Sequence, residues 1–448
     1  MQFSLNSSKF FTTVVHFFIG GTLRLRNGFI HVGILLVMSS ALYAGGFQLN
    51  EHGARAMAQA GAFAARGYDL SAVFFNPAGL SYQRGTRFLA GATIITPSFR
   101  FRGPTNLNTN QEWKMEDQIF TPINVYAGHT FTEGALSGLG LAIGVYNPYG
   151  LGTKWPDDWI GRNISQEILL ETFFITPTVS YAINDMIAVG VGFNYVLGNV
   201  TMRRAVDNFD PSMQLDLEGN GSGIGWNAGI IFRPLETVSL GFTYRSSVPV
   251  DFEGTTNFVN RPSSLEALFP GGDVKTSIEL PATYFAAIAV SPIEGLEVEF
   301  DYQGVQWSSY DKLVIDFVTD AESDPNGVVK QEDVSSPKDY EDSYILRFGL
   351  EYKLPVMGLT LRAGYLFDKN PVPDTHLEPL LPDADRNGYN FGVGFNITPN
   401  LTIDVAYLFE QFQERTTNAT SFPDGVYFDG TYNGTAHLFA INIGYVIR

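Results

Sequence analysis

The chain of 448 residues has no cysteine, which excludes disulfides, thiolate metal sites and cysteine nucleophiles. Charge is scarce. Asp, Glu, Lys and Arg make up 17% of the residues, against roughly 25% in soluble domains. The charge present is mostly acidic, giving a formal net of −18, so nucleic acid is a poor partner. Only six histidines occur, and none stands in a motif built for metal binding or for activating a serine. Long apolar runs are missing after the N-terminus, whereas a helix needs about 20 apolar residues to span a bilayer. Hydrophobic residues are 45% of the chain, yet the mean hydropathy is only +0.01, too low for a bundle of membrane helices.

What is abundant is glycine and aromatics: 46 Gly, 36 Phe and 21 Tyr. The N-terminus has the order of a secretory signal, with Lys9, Arg24 and Arg26 ahead of an apolar stretch from Gly28 to Met38 and then small residues. Cleavage is expected after Ala44, making residues 1–44 a long leader. Ala41 is the alternative, because Leu42 fits the −3 position poorly.

From residue 86 the chain alternates with period two. Leu296, Val298, Phe300 and Tyr302 take one side of a strand, and Glu297, Glu299 and Asp301 take the other. The last strand sets Phe439, Ile441, Ile443 and Tyr445 against Asn442 and Gly444. A soluble sandwich would turn its apolar faces inward. Here aromatics crowd the segment ends, as in headgroup girdles, and the opposite faces carry Gly, Asn, Thr and paired charges that suit a lumen. About 14 segments of this kind are expected, an even number as in bacterial barrels. They start near residues 86, 119, 139, 172, 186, 223, 236, 278, 294, 342, 358, 388, 400 and 435. Short turns such as 183–186, 234–236 and 398–400 alternate with long polar loops. The fold class is therefore all-β: a 14-stranded antiparallel transmembrane β-barrel over residues 86–448, closed because no backbone edge can stay unpaired in lipid. Residues 45–85 do not alternate. Ala54 to Ala65 is Ala-rich, so a short helix is expected there, in a segment of a size to fold into the barrel mouth.

Several motifs then carry a resemblance. Gly46-Phe-Gln-Leu-Asn-Glu51, Asn76-Pro-Ala-Gly-Leu80, Asn147-Pro-Tyr-Gly-Leu151, Trp155-Pro-Asp-Asp-Trp159, Leu280-Pro-Ala282, Trp307-Ser308 and the run from Asp368 to Pro373 follow in order. In order and spacing the chain resembles the FadL-type outer-membrane transporters, over essentially the whole mature sequence. That family carries long-chain fatty acids, and one branch carries toluene-like hydrocarbons. The resemblance implies a monomeric barrel closed by a hatch at residues 45–85, in contact with outer-membrane lipid and lipopolysaccharide. It implies an apolar groove among the outer loops, a tighter lumenal pocket with basic contacts for a carboxylate, and a sideways exit at an inward kink of the third strand. No cofactor or energy source is implied.

On that basis Asn76, Pro77 and Ala78 are the expected hatch motif, with a plain proline turn as the structural alternative. Gly144, Asn147 and Pro148 are candidates for the lateral opening, or merely for the end of the third strand. Arg203, Arg204 and Lys338 are candidates for the ligand carboxylate, with Lys330 a rival to Lys338. Of the two adjacent arginines only one should face inward, and surface ion pairs or solvated loop positions are the bland alternatives. Phe258, Leu265, Leu268 and Phe269 are candidates for the apolar groove, or for simple loop packing. Arg245, Glu297, Glu299, Asp301, Arg347, Glu351, Arg362 and Asp404 are expected to pair with one another as lumenal structure, with no catalytic part. The acidic run 320–324 is expected to be a solvated loop, although it faintly resembles a calcium loop. Two competing readings are a polar-solute porin, which would lack a hatch, and an outer-membrane lipolytic enzyme, which would need a Ser–His pair.

Overall fold

The computed structural model describes residues 45–447 apart from 106–108, 208–209, 267–268, 319–332, 356–357 and 418–427. The expected leader, Leu268, Lys330 and the acidic run 320–324 lie outside the described residues. Every strand belongs to one antiparallel sheet, closed as a 14-strand barrel. In chain order the spans are β1 (Gly85–Arg102), β2 (Glu112–Lys114 and Ile123–Thr130), β3 (Leu139–Tyr146 and Gly150–Lys154), β4 (Glu167–Ala182), β5 (Ile187–Ala205), β6 (Gln214–Leu235) and β7 (Val238–Arg245 and Val248–Val259). They continue as β8 (Gly272–Leu280 and Thr283–Ile293), β9 (Leu296–Val305 and Lys312–Phe317), β10 (Val334–Pro337 and Ser343–Lys353), β11 (Leu359–Asp368), β12 (Arg386–Thr398), β13 (Leu401–Phe412 and Arg415–Thr416) and β14 (Thr431–Ile447). Closure runs from Thr86 opposite Ile447 to Arg102 opposite Thr431, so no edge is left for lipid to meet.

The short turns fall where the alternation stops, at 183–186, 236–237 and 399–400. Several strands are far longer than the roughly ten residues a bilayer requires; β6 has 22. The extra length lies at the long-loop end, where apolar alternation fades, so starts read from alternation alone come up to nine residues late. Outward side chains such as Phe88, Ile143, Phe193, Phe242, Phe391 and Phe439 are exposed and form the belt that lipid covers. Inward positions such as Glu299, Asp301 and Gln303 are fully buried.

What buries them is the N-terminal segment. It carries two short helices, α1 (Ala54–Met57) and α2 (Ala72–Phe75), then a 3₁₀ turn from Pro77 to Tyr82. The helix expected over residues 54–65 stops at Met57. Ala60 and Gly61 take positive φ of 58° and 71°, which no right-handed helix accommodates. Helix propensity yields here to a turn that presents backbone to the wall: Arg347 donates to the Ala60 carbonyl at 2.8 Å.

Wall glycines admit this segment. A Cβ on Gly229 would sit 2.1 Å from Asn76 Oδ1, and one on Gly190 would sit 2.4 Å from the Pro77 carbonyl carbon. Asn76 uses the space to donate from Nδ2 to the Ala64 carbonyl at 2.8 Å and the Ile230 carbonyl at 3.1 Å, while its Oδ1 accepts the Ala78 N–H at 3.2 Å. Gly229→Ala is therefore expected to dislodge this clip and leave the barrel closed, at a cost of about 1–3 kcal/mol. Limited trypsin digestion checks it: cleavage at Arg55 and Arg66 should accelerate while the barrel keeps its heat-modifiable mobility, and an unchanged digestion rate would refute the role given to that space.

Candidate functional site

The ladder is broken beside β3. Up to Tyr146, β3 pairs on both sides, with Asn124 of β2 and Phe174 of β4. Pairing with β4 resumes at Gly150 opposite Glu171, one residue out of register. Pairing with β2 does not resume: residues 115–122 stay bonded to β1, as in the Phe120 N–H to Ile95 carbonyl bond at 3.0 Å, and reach β3 through the Glu116 N–H on the Lys154 carbonyl at 2.8 Å. Pro148 has no N–H to offer a neighbouring strand. Asn147 spans the break: its Oδ1 accepts the Ile123 N–H at 2.9 Å, and its Nδ2 donates to the Thr172 carbonyl at 2.6 Å. The backbone freed by the inward kink bonds to the N-terminal segment instead, with the Leu49 N–H on the Pro148 carbonyl at 2.9 Å and the Gly150 N–H on the Phe47 carbonyl at 3.0 Å.

A cavity of about 550 Å³ occupies this break. Its inner lining includes Glu51, Arg386 and Glu410, and its outer lining includes Ile119, Ile123 and Phe173. Ile119 is 69% exposed on the outer surface, so the cavity passes through the wall. A second cavity of about 60 Å³ lies in the lumen, lined mainly by aliphatic side chains with Lys338 and Glu378 as the only charges. Phe47, Leu151, Leu170 and Leu381 belong to both linings and form the partition between them.

Ion pairs hold the N-terminal segment against the inner wall. Arg55 makes two hydrogen bonds to Glu351, at 2.7 and 2.9 Å, and Arg362 joins the same carboxylate at 2.7 Å while reaching Asp404 at 2.6 Å. Arg66 pairs with Glu299. Asp301 accepts the N–H groups of Phe63 and Ala64, both at 3.1 Å. Near the start of the segment the Gly46 N–H binds Asp383 at 2.7 Å. Burial pushes the Asp383 carboxyl up to about 6, against the opposing pull of Arg386. The four histidines among the described residues bond to the Leu49 carbonyl (His52), Thr86 (His129), Thr375 (His376) and Tyr407 (His437).

Residues 35–446 match the family described as "Outer membrane protein transport protein (OMPP1/FadL/TodX)". The chain belongs to this family. It is an outer-membrane protein. Among its relatives is the long-chain fatty acid transport protein of Escherichia coli, 24% identical over 467 residues that cover 92% of this chain and 97% of that one. The crystal structure of a Pseudomonas aeruginosa FadL homologue superposes with a TM-score of 0.77 at 17% identity, covering 90% of this chain and all of that one. The toluene transporter TodX of Pseudomonas putida gives 0.69 at 16% identity, over 89% and 99% of the two chains. These structures establish the fold.

Against the candidates expected of a FadL/TodX-family chain, the kink falls at residues 147–149. Gly144 lies in unbroken ladder, between Tyr126 and Thr176, and clears space for the Tyr126 ring, 2.6 Å from where a Cβ would be. Arg203 faces outward, bonded to Glu167 at 3.1 Å, as strand parity allows for one of the two arginines. Neither Arg203 nor Arg204 lines either cavity. Lys338 does, buried to 5% exposure and paired with Glu378. Phe258 and Phe269 pack together, centroids 5.2 Å apart, in a small cluster with Met213, Leu215 and Leu265, so loop packing is their observed state. Arg245 and Arg347 depart from the expected charge pairing, since they donate to the Phe74 and Ala60 carbonyls. Sequence reasoning missed Arg55, Arg66 and Glu378, which no local motif marks.

Asn147→Ala is expected to cost about 1–3 kcal/mol for each backbone group left unpaired. Hydrogen exchange should locate the loss, with the Ile123 amide exchanging faster and the Val125 amide, inside the intact ladder, unchanged.

Proposed function

We propose that this protein moves hydrophobic small molecules passively across the outer membrane, with long-chain fatty acids as the principal cargo. The observation that carries this reading is the cavity through the wall at the break in β3, separated from the lumenal cavity only by Phe47, Leu151, Leu170 and Leu381. Cargo arrives among the long loops, enters the aliphatic lumenal site beside Lys338, passes the partition and leaves sideways between β2 and β3. Residues 45–85, with the Asn76-Pro77-Ala78 turn, serve as the hatch that denies water a straight path. Each buried CH₂ contributes about 0.8 kcal/mol, so an apolar route needs no external energy source. The protein works as a monomer, with no cofactor and no catalytic step. Among the relatives, one is a long-chain fatty acid transport protein and another is a toluene transporter. A second reading, uptake of monoaromatic hydrocarbons by the same route, is favoured by one feature: Glu378 already neutralises Lys338.

The test is uptake of a radiolabelled long-chain fatty acid, and separately of toluene, by cells lacking their own transporter, together with planar-bilayer conductance of the purified protein. Fatty-acid uptake without large steady currents is expected. Leu170→Asp, which puts a charge into the partition, should cut it by about ten-fold or more. Large steady ionic currents would point to a polar-solute porin, and uptake restricted to toluene would assign the protein to the hydrocarbon branch.

A further inference from the structure

The lumenal cavity contains a contradiction. Lys338 lines it, is buried, and is held by a carboxylate that belongs to the protein: Glu378, from the loop 369–385 between β11 and β12. An ammonium facing aliphatic walls needs an anion beside it. Glu378 supplies the same chemical group that a fatty acid would bring. The cavity itself, about 60 Å³, is too small for a long acyl chain. In this state the loop lines the site with Glu378, Leu380 and Leu381.

The geometry points to Glu378 as an internal stand-in for the ligand's headgroup, a latch that an incoming carboxylate displaces. This inference rests on the proposed transport of hydrophobic cargo and deepens it by naming the class of cargo that opens the path. Two carboxylates cannot share one buried ammonium without leaving an uncompensated negative charge at low dielectric. When a fatty acid takes Lys338, Glu378 turns out to the water it already touches; its side chain is 12% exposed. A neutral hydrocarbon has no such exchange to offer, because removing Glu378 would strand Lys338.

The latch is tied to the partition. Three residues beyond Glu378 stands Leu381, which lines both cavities. Between them, the Pro379 carbonyl accepts from Trp155 Nε1 at 3.1 Å and the Leu380 carbonyl accepts from Thr153 Oγ1 at 3.2 Å. Thr153 belongs to the segment of β3 just past the kink, and Trp155 follows it. Release of Glu378 therefore loosens Leu381 and the outer part of the broken strand together. Headgroup recognition in the lumen is thereby coupled to the opening in the wall.

The experiment compares wild type and Glu378→Gln in mild detergent, each confirmed folded by heat-modifiable mobility, binding an eighteen-carbon fatty acid and the primary alcohol of the same length. Glu378→Gln should tighten acid binding on the order of ten-fold, the size of one charged hydrogen bond gained, and leave alcohol binding within about two-fold. Because the chain has no cysteine, Leu381→Cys supplies a second readout in the wild-type background. Its rate of modification by a thiol reagent should rise with the acid and not with the alcohol. Unchanged or weaker acid binding in Glu378→Gln, with alcohol binding retained, overturns the latch and leaves the transport reading standing. Equal acceleration of Leu381→Cys labelling by both ligands also overturns it. Failure of wild type and variant alike to bind either ligand overturns the transport reading, and the latch with it.

Discussion

Three carboxylates on the inner wall set the character of this barrel. Glu299, Asp301 and Glu351 sit on adjacent strands at positions where a channel would present them to water. Here they meet Arg55, Arg66 and the backbone N–H groups of residues 63–65. Buried acids of this kind are costly unless paired and hydrogen-bonded, so the wall and the N-terminal segment each complete the other. An empty lumen would leave the acids solvated and the barrel a water channel. The inward glycines serve the same end, because they let the segment's backbone touch the wall where side chains would hold it away. The segment is thus a part of the fold, and its displacement breaks buried ion pairs.

The break in β3 has to be understood against that background. A ladder interrupted within a transmembrane wall would strand polar backbone groups, each costing several kcal/mol in hydrocarbon. Three devices avoid this. Pro148 removes one donor outright, Asn147 supplies an acceptor and a donor to the strands on either side, and residues 47–49 act as a surrogate strand from inside. The wall is opened without leaving its edges unsatisfied, and the same bonds place Phe47 in the partition between the two cavities. The N-terminal segment, the kink and the partition are one hydrogen-bonded unit.

How much of this was legible depended on the range of the signal. Strand identity was legible because period-two alternation is local, and Leu296 to Tyr302 declares its faces without reference to anything else. The kink was legible to within a few residues because Asn147-Pro148 interrupts a strand pattern, although Gly144 carried the same surface signal and belongs to intact ladder. The helix expected over residues 54–65 failed because the Arg347 guanidinium, nearly three hundred residues away in sequence, claims the Ala60 carbonyl. Arg55 and Glu351 are separated by 296 residues, and neither looks remarkable in its own neighbourhood. Parity limited Arg203 and Arg204 to one inward position without saying that neither would reach a cavity. Lys338 was found by resemblance, but its partner Glu378 lies in a loop whose fold no periodicity predicts.

The partition explains how a passive route can have a direction of opening without an energy source. Phe47, Leu151, Leu170 and Leu381 are apolar on both sides, so a hydrocarbon tail crossing them exchanges one apolar surface for another at little net cost. The barrier is therefore set by the polar contacts that hold those four residues in place. Phe47 is held by its carbonyl on Gly150, Leu151 by the pairing of β3 with β4, and Leu381 by the loop whose carbonyls bind Thr153 and Trp155. Of these restraints, the loop alone ends in a charge that a ligand can replace. On the proposed reading, such a route stays shut to water and ions because its gate is greasy, and it responds to cargo because one of its fastenings is a carboxylate.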